Sequence, residues 1–179
     1  MSRFILSALL SLGLASPAWA ADPNNLAVFN DVSKTVQRYA FFTIFDSVHA
    51  SVADGVVTLS GKVTMPYKAS DIEKRVAKVD GVTQVVNDLE VLPVSLFDNQ
   101  LRVRIARAIY SNSALSNYGL GPNPSIHIIV ERGHVTLDGV VMNNMDRQIA
   151  RTIVGSFSTF GIKNELKTDE EVKQDLEKL

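Results

Sequence analysis

The sequence contains no cysteine in 179 residues. Disulfide staples, thiol nucleophiles and thiolate metal sites are thereby excluded, and no cysteine is left for lipid attachment. Stability must come from burial alone. Tryptophan occurs once and histidine three times, and 18 Lys/Arg stand against 19 Asp/Glu, a net charge of −1. A chain so balanced gives no reason to expect nucleic-acid binding. Long hydrophobic runs are missing too. The apolar stretch Phe4–Leu14 is broken by Ser7, Ser11 and Gly13 and falls well short of the ~20 residues a helix needs to cross a bilayer. It follows Arg3 and precedes Ser16-Pro17-Ala18-Trp19-Ala20, so residues 1–20 read as a secretory signal peptide, with cleavage expected after Ala20. The rest of the chain is expected to be soluble, without a transmembrane segment.

What is present is a repeat. DGVVTLSGKV at residues 54–63 returns as RGHVTLDGVV at 132–141, so that Gly55/Gly133, Val57/Val135, Thr58/Thr136, Leu59/Leu137 and Gly61/Gly139 coincide at a spacing of 78. In both copies the preceding residues alternate apolar and polar, as in a half-buried strand, and the central dipeptide calls for a tight hairpin turn. The turn glycines, Gly55 and Gly133, supply a left-handed backbone. Gly61 and Gly139 lie mid-strand on the inward face, where a glycine marks close approach of another backbone, expected here to be a crossing helix. Helical spacing of apolar residues precedes each hairpin (Val32, Val36; Leu101, Ile105, Ile109) and follows it (Ala69, Ile72, Val76; Met145, Ile149, Ile153). A third strand closes each copy, with Val85-Val86-Asn87-Asp88-Leu89 matching Ile162-Lys163-Asn164-Glu165-Leu166. The reading is α+β: two tandem α-β-β-α-β modules over residues 28–94 and 97–167, each with two helices on one face of a three-stranded mixed sheet. Residues 168–179 read as an acidic amphipathic helix opened by the capping box Thr168-Asp169-Glu170-Glu171, which either docks on the tandem or binds a partner.

Strand, turn, G-x-V-T-L-x-G-x-V, amphipathic helix and V-x-N-x-L, occurring twice, resemble the BON domain, named for bacterial osmotically inducible and nodulation proteins. Two copies behind a signal peptide are the layout of the osmotically inducible periplasmic proteins of that family. The resemblance implies a periplasmic, non-enzymatic protein that binds phospholipid or other envelope surfaces and supports envelope integrity or osmotic-stress tolerance. The alternative it leaves open is a holdase-like chaperone for exported proteins. It implies no cofactor, and partners limited to anionic phospholipid or envelope proteins in peripheral contact.

The residues themselves offer little chemistry. No G-x-S-x-G, G-x-G-x-x-G, P-loop or H-E-x-x-H occurs. Asp71 and Glu73 point to different sides of their helix and read as solvated charges. His49 and His127 occupy equivalent, outward positions on the first strands, and hairpin register sets His127 opposite Asp138 and His134 opposite Glu131. Cross-strand polar pairing is expected there rather than a metal site, since no ligand trio has metal spacing. Charge is more telling. Residues 97–167 hold eight Lys/Arg against five Asp/Glu, while residues 22–96 hold seven against nine. Arg102, Arg104 and Arg107 on one helix and Arg147 and Arg151 on the next are candidate contacts for lipid phosphates. Tyr118 and Leu120, on a Gly/Pro-rich insertion at 116–124, are candidates for interfacial insertion, or fold back over the sheet edge. In the first copy the matching place holds Phe41, Phe42, Ile44 and Phe45, which pack against the other copy or meet a membrane.

Overall fold

A computed structural model describes residues 23–177 except Pro122; the expected signal peptide and its cleavage site lie outside the described residues. The first module runs α1 (Pro23–Gln37), β1 (Ser47–Ala53), β2 (Val56–Val63), α2 (Pro66–Val76) and β3 (Gln84–Val91). The second runs α3 (Leu96–Tyr110), a 3₁₀ turn at Ser116–Gly119, β4 (Ile126–Glu131), β5 (His134–Val141), α4 (Asn144–Gly155) and β6 (Gly161–Asn164). A two-residue strand β7 (Lys167–Thr168) and the helix α5 (Asp169–Leu176) follow.

Each hairpin has the register its alternation requires. Val52 faces Val57 across the Asp54-Gly55 turn, and His127 and Glu131 face Asp138 and His134. The third strand pairs in parallel with the second strand of the hairpin, Val57 opposite Val85 and Val135 opposite Ile162. A parallel neighbour needs a crossover, and α2 and α4 supply it. The helices bury one face against one side of each sheet, giving two separate cores. Val28, Val32 and Val36 of α1 and Ile72 and Val76 of α2 meet Val57, Leu59 and Val63. Leu101, Ile105 and Ile109 of α3 and Ala150 and Val154 of α4 meet Ile128, Val130, Val135 and Leu137.

The asparagine of V-x-N-x-L has the same task twice. Asn87 Nδ2 donates to the Ala69 carbonyl (3.3 Å) and to Glu73 (2.8 Å), while its Oδ1 accepts from the Leu89 amide. Asn164 donates to the Arg147 carbonyl (3.0 Å) and accepts from the Leu166 amide. One side chain thus ties the third strand to the crossover helix.

Three expectations need correction. Gly61 and Gly139 do sit at φ +119° and +113°, but what crowds them is not a helix: an added Cβ would collide with the carbonyl oxygen of Ser47 or Ser125, on the segment entering the neighbouring strand. Asp71 and Glu73 are not merely solvated, since Asp71 accepts from the Tyr39 hydroxyl (2.9 Å) and Glu73 from Asn87. The second sheet also has a fourth strand. β6 pairs only with residues 134–137 of β5, and β7 then joins Val140 and Val141. That return path brings α5 onto the second module, where the Thr168–Glu171 capping box is fully formed and Arg147 bonds Glu171 (2.9 Å).

Candidate binding surface

The α3 helix carries the arginines of the second module, and its geometry sorts them. Leu101, Ile105 and Ile109 form the buried stripe. Arg102 lies one position beyond it and, with Ala106, is drawn inside. It is 5% exposed, donates to the Val130 carbonyl (2.9 Å), and stands 6.0 Å from the ring of Phe45 from the first module. Burial pushes its guanidinium below its usual pKa, against the attraction of Asp98 and Asp46, and its Nε has no hydrogen-bond partner among the described residues. Arg102 is therefore not available to an external phosphate. Arg104 and Arg107 are exposed, Arg104 lying 5.3 Å over the Phe157 ring. On α4, Arg151 is exposed, whereas Arg147 is engaged by Glu171 and the Leu166 carbonyl.

Tyr118 folds back. Its hydroxyl donates to Asp146 and accepts from the Met142 amide (2.8 Å), clasping the start of α4. Burial and the Asp146 bond raise its pKa. Leu120, two residues on, is 72% exposed, and Met142 and Met145 beside the clasped corner are 66% and 69% exposed. The two methionines are the apolar contribution that sequence patterning misses: helical spacing sets Met145 with Ile149 and Ile153, but it projects from the first turn of α4.

His49 and His127 occupy the junction between modules rather than open sheet faces, while His134 stays exposed beside Phe160 of its own module. His49 Nε2 lies 3.1 Å from Asp138 Oδ2, and Ser47 Oγ bonds both groups. Serine, histidine and aspartate meet here, yet serine and carboxylate share one ring nitrogen. A nucleophilic triad needs the carboxylate on one nitrogen and the hydroxyl on the other, so the cluster is an interface lock. Burial opposes the charged Asp138, but bonds from His49, Ser47 and the Gly139 amide outweigh it and hold the carboxyl at about 2. The Asp138 hydrogen bond raises His49. Across the same junction, Lys62 bonds Glu131, and the Ile128 amide donates to the Ile44 carbonyl (2.7 Å), capping the exposed edge of β4. Phe42 stacks at 5.3 Å on His127, whose pKa burial lowers. Ile44 and Phe45 pack on the second core, leaving Phe41 of that segment exposed.

No group of three or more metal-ligating side chains converges among the described residues, and no described helix is long and apolar enough to cross a membrane. No curated protein matches the chain. Among solved structures, it is similar to CdsD, a structural protein of the type III secretion system of Chlamydia trachomatis, at 14% identity and TM-score 0.31, covering 84% of this chain and 97% of that one. It is likewise similar to the C-terminal domain of that protein, at 14% identity and TM-score 0.28, covering 76% and 94%. The family model of the BON domain matches residues 44–93 and 98–170, one span on each α/β module; the chain belongs to the BON domain family.

Proposed function

We propose that this chain is a non-enzymatic protein of the bacterial envelope, residing in the periplasm, whose second module docks on anionic phospholipid surfaces and so supports envelope integrity under osmotic stress. BON membership supports the envelope setting. The observation that carries the lipid reading is the pairing of exposed apolar Leu120, Met142 and Met145 with Arg107 and Arg151 on one module. Neither arginine side chain has a hydrogen-bond or ion-pair partner among the described residues. Arg104 completes the set. Basic groups at an anionic surface contribute about 1 kcal/mol each, so three arginines give roughly 3 kcal/mol, a factor on the order of 100.

Co-sedimentation with vesicles tests this. Binding to anionic vesicles should exceed binding to neutral ones and should weaken as salt rises through 0.1 M, where the Debye length is about 10 Å. Binding indifferent to lipid charge and salt would refute the arginine contribution. The holdase alternative needs an exposed Phe41–Phe45 patch, and Phe42, Ile44 and Phe45 are turned against the second module.

A further inference from the structure

The first module holds a cleft that the lipid reading does not use. It lies between the C-terminal halves of α1 and α2 and measures about 710 Å³. Lys34 and Arg38 enter it from α1, and Lys74, Arg75 and Lys78 from α2 and the turn beyond. Against these five cations stand three carboxylates, Asp31, Asp71 and Asp80. Two of those are already engaged, Asp31 with Lys34 (3.1 Å) and Asp71 with the Tyr39 hydroxyl. Arg75 rests 4.9 Å over the Tyr39 ring, which fixes its guanidinium at the cleft wall. Arg38, Lys74 and Lys78 are exposed.

Cations at helix C-termini also offset the helix macrodipole, and that could be their whole role. The second module argues otherwise. Buried Val28, Val32 and Val36 correspond to Leu101, Ile105 and Ile109, a spacing of 73, which sets Ser111 at the place of Arg38. At the spacing of 78, Thr152, Ile153 and Ser156 replace Lys74, Arg75 and Lys78. Helix α4 ends with no basic residue in its last turn, in the same architecture. Of the five cations only Lys34 keeps a basic counterpart, Arg107 in the last turn of α3; the fold therefore does not need the other four, and the first module concentrates them in one concave place.

We infer that the α1–α2 cleft of the first module is a binding site for a phosphate-class anion carrying two or more charges. With Lys34 held by Asp31, Lys74 and Lys78 act as point charges, and Arg38 and Arg75 offer planar forks suited to phosphoryl oxygens. A singly charged carboxylate could meet only part of this set. The phosphoryl group belongs either to a soluble phosphate or to a phosphomonoester lipid headgroup, and the site stands apart from the second-module surface proposed above.

The test titrates the ¹⁵N-labelled chain with inorganic phosphate at constant ionic strength, with chloride as the matched control. A second arm compares co-sedimentation with vesicles containing phosphatidic acid and with vesicles containing phosphatidylglycerol. Both arms use the wild type, the triple variant Arg38→Gln/Lys74→Gln/Lys78→Gln, and Arg104→Gln/Arg107→Gln as a second-module control. The substituted side chains are exposed, so folding is retained and checked from the spectra. Saturable shifts of amides around residues 34–39 and 74–82, weakened about tenfold in the triple variant and unchanged in the control, would establish a soluble ligand. Preference for phosphatidic acid lost only in the triple variant would establish a headgroup. No cleft response in either arm, or one that survives the triple substitution, overturns the inference.

Discussion

The corner where the hairpin leads into the crossover helix is built in both modules, with opposite chemistry. In the first module Asp46, fully buried, accepts from the Thr64 amide (2.7 Å), from the hydroxyls of Thr43 and Thr64, and from Lys68 Nζ (2.7 Å). Burial works against its charge, but the Lys68 and threonine bonds prevail and hold its pKa low. At the same places 78 residues on stand Met142 and Asp146. The partner there is Tyr118, whose hydroxyl accepts from the Met142 amide and donates to Asp146. The helix residue changes from cation to anion, so the bridging group changes from pure acceptor to one that also donates. Both copies must satisfy one backbone amide at the helix entry. The first does so with a buried ion pair, the second with a neutral hydroxyl at a wetter site, where Met142 and Met145 stand exposed.

The comparison can be broken at its strongest point first. Asp46→Ala strands a buried lysine and should destabilise the first module by about 3–5 kcal/mol, as removal of one partner of a buried pair does. Urea unfolding measures it, and Asp46→Leu combined with Lys68→Met should recover most of the loss. Next, Gly61→Ala and Gly139→Ala should each cost at least about 1–3 kcal/mol, from backbone strain at positive φ added to the collision of the new Cβ with the Ser47 or Ser125 carbonyl. Equal losses in the two variants would show that the glycine positions belong to the shared frame.

The junction comes third. Asp138 is depressed from its ordinary value to about 2. Its contribution is full above about pH 4 and lost as pH falls toward 2, up to about 2 kcal/mol. His49 is raised, so its contribution is full below its unfolded pKa of about 6.5 and fades as pH rises through the folded value. His127 is lowered, so acidification through the same region works against the native state. The urea midpoint of Asp138→Asn, followed from pH 6 to 8.5, should lose the His49 part of the slope and keep that of His127. The smallest effect belongs to Tyr118→Phe, about 1 kcal/mol, because water can replace its two hydrogen bonds at the half-buried corner.

Sequence patterning reached what is local and periodic. The hairpin registers, the turn glycines and the α5 capping box follow from period, turn chemistry and spacing, whereas the repeated asparagine of V-x-N-x-L shows its tie to the crossover helix only in the structure. It failed where a residue's surroundings come from the other module. His49 alternates outward from its own sheet, and only the arrival of Asp138, 89 positions away, turns that face into a junction. Arg102 carries a partial clue: with Ala106 it forms a stripe bordering the apolar one. A charge on that border goes inward only when a carbonyl such as that of Val130 awaits it. The Asp46–Lys68 pair joins positions too far apart in sequence for any helix or hairpin spacing to reveal.

If the modules share a frame and differ in function, the external chemistry lies where the copies differ: Arg104 and Arg151 stand at the places of Asp31 and Glu73, beside Arg107 at the basic place of Lys34. Co-sedimentation of Arg104→Gln/Arg107→Gln/Arg151→Gln with anionic vesicles at low salt tests this most directly. The account predicts a fall in binding on the order of 100-fold, with the unfolding midpoint lowered by no more than the exposed Arg104–Phe157 contact, about 0.5–1 kcal/mol. Binding equal to that of the unsubstituted chain would contradict it.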